Sequence, residues 1–248
     1  MCSAKEGWFG GSDVVCQPSP PLASRPSRLV LLGPPGVGKG TQAAGLCKSI
    51  RCCHLSTGDL FRTAKSCDTA SPAMQQALVA MRRGELVSDE IVIAMVRERS
   101  GCLQCAGGFL LDGFPRTVRQ AEALDQMLDE LNVSLDAVIC FELPLEKIVA
   151  RLSGRRTCSA CHRVFHVQGQ PPAMEGICDG CGGRLMLRDD DQPEAVRLRM
   201  QTYEAETLPL IEFYHKTDKL QCVAAEGTPD EILKRTLQVV DRVGVTVS

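Results

Sequence analysis

The nine residues Gly33-Pro34-Pro35-Gly36-Val37-Gly38-Lys39-Gly40-Thr41 carry the chain's clearest chemical capacity. Glycines let successive backbone N–H groups curl around an anion, and a helix N-terminus adds about half a positive charge. Lys39 supplies a mobile point charge for the outer groups of a polyphosphate. The hydroxyl comes one place late, at Thr41, because Gly40 follows the lysine. A Gly/Pro turn that merely joins two elements is the bland reading, and context decides between them. Leu29–Leu32 is a continuous apolar run, as in a parallel strand buried on both faces. Gln42, Ala43, Ala44, Leu46 and Ile50 then follow in a helical pattern. Strand, glycine loop with Gly-Lys, then helix is the context a phosphate-binding loop requires.

Cysteines form the second constellation. Cys158-x-x-Cys161 and Cys178-x-x-Cys181 are separated by sixteen residues, a spacing that matches a closed four-thiolate zinc site. Gly176, Gly180, Gly182 and Gly183 give the backbone freedom that tight knuckles need. A redox CxxC, a pair of disulfides and a nucleic-acid-binding ribbon are the rival readings. The last predicts a basic, aromatic segment, yet between Cys158 and Cys181 only Arg163, His162 and His166 are basic and Phe165 is the sole aromatic. Cys102 and Cys105 form a third CxxC to which no function is assigned, and the other cysteines outside the paired knuckles read as incidental thiols.

Asp112 closes an apolar run at Phe109–Leu111 and precedes Gly113. A carboxylate at the carboxyl edge of a strand beside a phosphate loop can organise Mg²⁺ or its waters; otherwise Asp-Gly is a turn. Thr57 or Asp59 reads as the N-cap of a helix carrying Arg62. Arg62 and Arg116 follow strands, Arg155 and Arg156 open the cysteine segment, and Arg188 and Arg199 follow it. Guanidinium forks suit bidentate phosphate contacts, and phosphoryl transfer asks for charge neutralisation above all.

These groups need a rigid frame. Cys53–Leu55, Phe109–Leu111, Ala137–Leu143 and Leu220–Ala224 join Leu29–Leu32 as five strands. Helical stretches are expected at Ala73–Arg82, Asp89–Arg99, Val118–Leu131, Leu145–Leu152, Glu194–His215 and Pro229–Val240. Alternation of this kind predicts a parallel sheet with helices on both faces and right-handed connections. The 248 residues carry 28 basic and 30 acidic side chains, for a net charge of −2. Global attraction to nucleic acid or an anionic membrane is therefore not the driving force. The 4% aromatic content argues against base-stacking readers of single strands. Residues 1–27 are rich in Gly, Ser and Pro and read as a flexible extension. They lack the apolar core of a secretory signal, so a reduced, cytoplasmic setting is expected, with organellar targeting left open.

GPPGVGKGTQ at 33–42, LSTGDLFR at 55–62, GELVSDEIV at 84–92, GFLLDGFPRT at 108–117, GRRTCSACHRVFH at 154–166 and LRDDD at 187–191 occur in one order. Over roughly residues 28–240 the chain resembles the adenylate kinases of the long-lid, zinc-containing type, among the nucleoside monophosphate kinases. The displaced Thr41 fits that family, where Gly-Lys-Gly-Thr is usual. The resemblance implies a P-loop core at 28–55, 88–153 and 192–248, a helical AMP-binding insertion at 56–87 and a zinc-bearing lid at 154–191. It implies a monomer that transfers the terminal phosphoryl group of ATP to AMP, with Mg²⁺ on the ATP and a structural Zn²⁺. It also implies no nucleic-acid or membrane partner.

By the same resemblance ATP lies on Gly36, Val37, Gly38, Lys39, Gly40 and Thr41, with Arg151, Arg155, Val164 and Phe165. AMP lies on Thr57, Arg62, Glu85, Leu86, Val87, Gly113, Phe114, Pro115, Arg116 and Gln120, with Arg188 and Arg199. Lys39, Asp112, Arg116, Arg155, Arg188 and Arg199 are the implied catalytic groups, and Asp190 and Asp191 look like acids of the lid hinge or caps of the next helix. Thr57 favours AMP, since UMP/CMP kinases tend to have Ala there. A UMP/CMP or GTP:AMP kinase, and a regulatory ATP-binding protein with a zinc ribbon, are the alternatives.

Overall fold

A computed structural model describes residues 26–64, 72–82, 87–188 and 191–245. Five strands form one sheet: β1 (Ser27–Leu32), β2 (Cys53–Ser56), β3 (Gly108–Asp112), β4 (Ala137–Glu142) and β8 (Leu220–Ala224). Their order is β2-β3-β1-β4-β8, and every pairing is parallel. The central strands β1, β3 and β4 are apolar through their middles because both faces are covered, with polar residues at their ends. Side-chain alternation then splits each strand between two layers. Val30, Leu32, Leu55, Phe109, Leu111 and Val138 enter one apolar layer, while Leu29, Leu31, Leu110, Ile139 and Phe141 enter the other.

Helices α1 (Lys39–Ile50), α2 (Thr57–Ala64), α3 (Pro72–Arg82), α4 (Asp89–Arg97), α5 (Val118–Glu130) and α6 (Leu145–Gly154) precede a second, small sheet. That sheet comprises β5 (Arg155–Cys158), β6 (Val164–His166) and β7 (Leu185–Met186), in the antiparallel order β6-β5-β7. Then come α7 (Pro193–Thr202), α8 (Pro209–His215), β8 and α9 (Pro229–Arg242). The ends of α9 follow local rules. Thr228 and Glu231 form a reciprocal capping box with Pro229 in the first turn, and Arg242 lies in the last.

Several expectations are corrected. The single helix expected at Glu194–His215 is two helices joined by a π-turn at Tyr203–Thr207. Pro209 lacks the N–H that a continuous helix needs, and the wider turn, with Leu208 N–H donating to Tyr203 O at 2.8 Å, absorbs the mismatch. The N-cap of α2 is Ser56, whose Oγ accepts from the Asp59 N–H at 3.1 Å, rather than Thr57 or Asp59. The helix expected to run to Arg99 ends at Arg97 and gives way to a 3₁₀ turn at Ser100–Gln104. Strand β1 begins at Ser27, within the stretch read as an extension, and residues 1–25 lie outside the described residues. Among the described residues no helix is long and apolar enough to cross a membrane.

Candidate active site and metal centre

The carboxyl ends of β1, β2 and β3 bring the first group of polar residues together. Leu31 is in register with Asp112, and Ser56 pairs with Asp112 from the other side. The loop after β1 therefore stands beside Asp112, Gly113 and Thr57, at the edge where open α/β sheets bind ligands. Gly38 has φ of 104°, a left-handed setting that lets the loop turn into α1 without the clash a side chain would bring. Lys39 opens α1 and donates from Nζ to Gly33 O at 2.6 Å and Pro34 O at 3.0 Å. Its amine thus lies along the loop.

Charge around Lys39 is concentrated. Burial lowers its pKa to about 8; Asp112 opposes that shift, while Arg116 and Arg199 reinforce it. Four residues from β3, α1, α7 and the loop after β3 thus share one electrostatic neighbourhood. Burial alone would raise the Asp112 carboxyl, but His54 and Lys39 outweigh it and hold it below the usual range. His54 Nε2 is 3.7 Å from Asp112 Oδ2. Burial pushes the imidazole down, yet the carboxylate wins and its pKa is raised. Asp112 is therefore an ionised group in a cationic site.

The loop after β3 is equally constrained. Gly113 has φ of 85°, and a Cβ there would meet Thr57 Oγ1 at 2.7 Å, so glycine keeps the two segments in contact. Thr57 Oγ1 donates to Asp112 O at 3.4 Å. Phe114 is fully buried in the apolar layer, and Pro115 brings the exposed Arg116 back over the edge. Arg116 Nε donates to Gly113 O at 2.9 Å, and its backbone N–H donates to Gln120 Oε1 at 2.8 Å. Gln120 Nε2 in turn donates to Asp89 Oδ1 at 2.5 Å, while Thr117 Oγ1 donates to Asp89 Oδ2 at 2.7 Å. Asp89 is thus the anchor of this loop, and the residue reading missed it. Its only local signal, an acid in a helix's first turn, is that of an ordinary cap.

Arg155, at the start of β5, places Nε 2.7 Å from Asp191 Oδ2 and also donates from Nη2 to Oδ1. Arg199 Nη1 lies 3.6 Å from the same Oδ1. The Asp191 side chain is 0% exposed, so two arginines expected at phosphates converge on one buried carboxylate. Others are placed apart. Arg188 donates from Nε to Thr157 Oγ1 at 2.8 Å, within the small sheet. Arg151 donates to Val37 O at 2.9 Å and Ala225 O at 2.8 Å, tying the glycine loop to the segment before α9. Val164 is exposed, whereas Phe165 is buried with Cys158, Cys178 and Leu185. Val87 packs on the first apolar layer. Arg62 lies on α2, and Glu85, Leu86 and Asp190 lie outside the described residues.

The four paired cysteines form a separate cluster. Their Sγ atoms all lie within 4.8 Å of one another, with 3.5 Å between Cys158 and Cys181 and between Cys161 and Cys178. Tetrahedral zinc with bonds near 2.3 Å requires sulfur separations of about 3.8 Å, so the cage fits. The two knuckles repeat one geometry. Cys158 N–H donates to Arg163 O and Cys178 N–H to Gly183 O, both at 2.9 Å. His162 N–H returns to Cys158 O at 3.1 Å and Gly182 N–H to Cys178 O at 2.9 Å. His162 and Gly182 occupy the matching left-handed positions, with φ of 59° and 70°. The Cys161 N–H heads the groups that lower the Cys158 thiol to about 6, whereas Cys181, despite the Gly183 N–H, is pushed up to about 12 by Cys161 and Cys158.

The family model described as adenylate kinase matches residues 31–219. The chain belongs to the adenylate kinase family. It is 49% identical to an adenylate kinase of Carboxydothermus hydrogenoformans over 214 residues, covering 85% of this chain and 99% of that one. It is 46% identical to adenylate kinases of Thermodesulfovibrio yellowstonii and Streptomyces coelicolor, each covering 87% of this chain and 99% of the relative. The five-stranded sheet and glycine loop are thus the P-loop kinase fold of a phosphotransferase, and the four-cysteine cluster is compatible with zinc.

Proposed function

We infer that the chain transfers the terminal phosphoryl group of ATP to AMP, giving two ADP, with the acceptor held against the β2 and β3 edge. The observation that carries the reading is the shared neighbourhood of Lys39, Asp112, Arg116 and Arg199 at the mouth of the glycine loop. Bringing a triphosphate and a monophosphate together concentrates negative charge, and in-line transfer needs positioning and neutralisation more than covalent chemistry. Lys39 would leave the loop carbonyls for the outer phosphates of ATP. Arg116, held by Gly113 and Gln120, would take the AMP phosphate. Asp112, kept ionised, is the group suited to hold Mg²⁺ or its waters, and the ion would supply charge neutralisation for the phosphates there.

In this reading residues 56–87 are the AMP-binding insertion and residues 154–191 a lid. Arg155 and Arg188, both tied to the small sheet or its hinge, would be delivered to the phosphates as the lid closes and excludes water. Cys158, Cys161, Cys178 and Cys181 would hold the zinc as four thiolates, and the metal would then brace the lid without touching substrate. Thr57 beside Gly113 supports AMP as the acceptor. Phosphoryl transfer from ATP to AMP, UMP, CMP and GMP, measured in parallel with the full chain, tests the reaction and its acceptor. Preference for AMP is expected; preference for UMP or CMP overturns the acceptor, and transfer to none overturns the reaction.

A further inference from the structure

Outside the site just described, a close sulfur contact joins two cysteines distant in sequence. Cys53 Sγ and Cys105 Sγ are 2.8 Å apart, across 52 residues of chain. Both residues are buried, at 2% and 5% exposure, in the apolar layer under α3–α5. No disulfide joins them. A disulfide bond is about 2.05 Å long, so closing the gap needs a shift of about 0.8 Å. Local geometry builds this approach. The 3₁₀ turn at Ser100–Gln104 ends at Cys105, whose carbonyl accepts from Gly108 N–H at 2.8 Å, and Gly108 turns the chain into β3 with φ of 82°. Cys53 meanwhile opens β2, in register with Phe109 of β3.

We propose that Cys53 and Cys105 form a structural disulfide when the chain folds in the presence of a low-molecular-weight disulfide such as oxidised glutathione. The Cys53 thiolate attacks one sulfur of that disulfide and expels one glutathione thiolate. The Cys105 thiolate then attacks the Cys53 sulfur of the mixed disulfide and expels the second. Two protein thiols are oxidised, one disulfide is reduced to two thiols, and the two protons pass to the leaving thiolates or to water. The exchange belongs to folding, before burial shuts both sulfurs away. The bond would cross-link the amino-terminal start of β2 to the turn before β3. Ser56, at the phosphate edge, is three residues further along, about 10 Å away. Stability should therefore change and turnover should not.

The test folds the full-length, zinc-loaded protein in reduced or in oxidised glutathione, then alkylates it and maps peptides without reduction. A Cys53–Cys105 cross-linked peptide is expected in the oxidised sample. Its melting temperature should rise by roughly 10 °C over the reduced sample, because a loop of this length constrains the unfolded chain. Its kcat at 25 °C should stay within about twofold. Cys53→Ala and Cys105→Ala should each abolish the oxidant-dependent shift. Both thiols alkylated in the oxidised sample, or Cys105 joined to another cysteine, would overturn the pairing, and peptide mapping of the unsubstituted chain decides this even if the variants do not fold. An equal melting shift in the variants, or a turnover loss beyond tenfold, would also overturn the proposal. None of these readouts depends on which nucleotide is the acceptor.

Discussion

Around β1 the chain buries two continuous apolar layers, one on each face of five parallel strands. Around β5 its apolar cluster is only four residues, Cys158, Phe165, Cys178 and Leu185, and two of these are candidate metal ligands. The larger unit has hydrophobic area to spare and can place charge at its edge. Units below about 40 residues rarely hold themselves without a staple, and the segment at 154–191 falls in that range. Its staple is four thiols. The difference teaches how labour divides in this molecule: the apolar core fixes the glycine loop and Asp112, while Arg155 stands on a small sheet that closes around four thiols.

The division breaks first, if it is wrong, at Lys39. Lys39→Met should cut kcat by about 10³-fold, the scale of losing a positioned charge at a developing anion, with little change in melting temperature. A folded variant with near-normal turnover would remove Lys39 from the chemistry. Chelation, or Cys158→Ser with Cys161→Ser, comes next. Hydrogen exchange should accelerate across 154–191 while β1–β4 stay protected, and activity should fall by about 10²-fold as Arg155 loses its place. If the core melts together with the lid, the two regions are one cooperative unit. A metal-free protein with a fully protected lid would instead reject the zinc reading.

Arg116→Lys should raise the KM for AMP by at least about tenfold, because a point charge cannot reproduce a two-pronged contact; unchanged AMP kinetics would count against the clamp. Lys39 also predicts a pH signature. Its pKa in the folded chain is lowered from 10.5 to about 8. Above pH 8 the free enzyme loses the active ammonium, so kcat/KM for ATP should fall about tenfold per pH unit. Stability should move the other way. Between about 8 and 10.5 the unfolded chain binds more protons at this lysine than the folded one, so Lys39 contributes rising stability with pH across that window. Melting and kinetics measured together from pH 7 to 10 check both signs, and Lys39→Met should lose the stability component. The smallest effect sharpens the lid. His162 sits where the sister knuckle has Gly182, so His162→Gly should relieve about 1 kcal/mol of left-handed strain and slow lid hydrogen exchange about fivefold. Faster exchange would show that the His162 side chain contributes packing worth more than the strain.

Much of this was legible in the residues. Continuous apolar runs separated by helical periods led to a five-stranded parallel sheet, because strands covered on both faces tolerate few polar side chains. Glycine, lysine and threonine spacing marked the phosphate loop, and paired CxxC spacing marked the four-thiol cluster; the loop and each knuckle are local motifs whose geometry lies within a few residues. The π-turn before Pro209 was less legible, since periodicity runs straight through it and the proline's missing N–H reveals only that something must give. Tertiary structure alone decided the long-range partners. No spacing links Asp89 to Gln120 and Thr117, Arg155 to Asp191, His54 to Asp112, or Cys53 to Cys105. Each pair is made by strand order and by loops folding back across the sheet, and the energy that holds it comes from burial contributed by residues elsewhere in the chain.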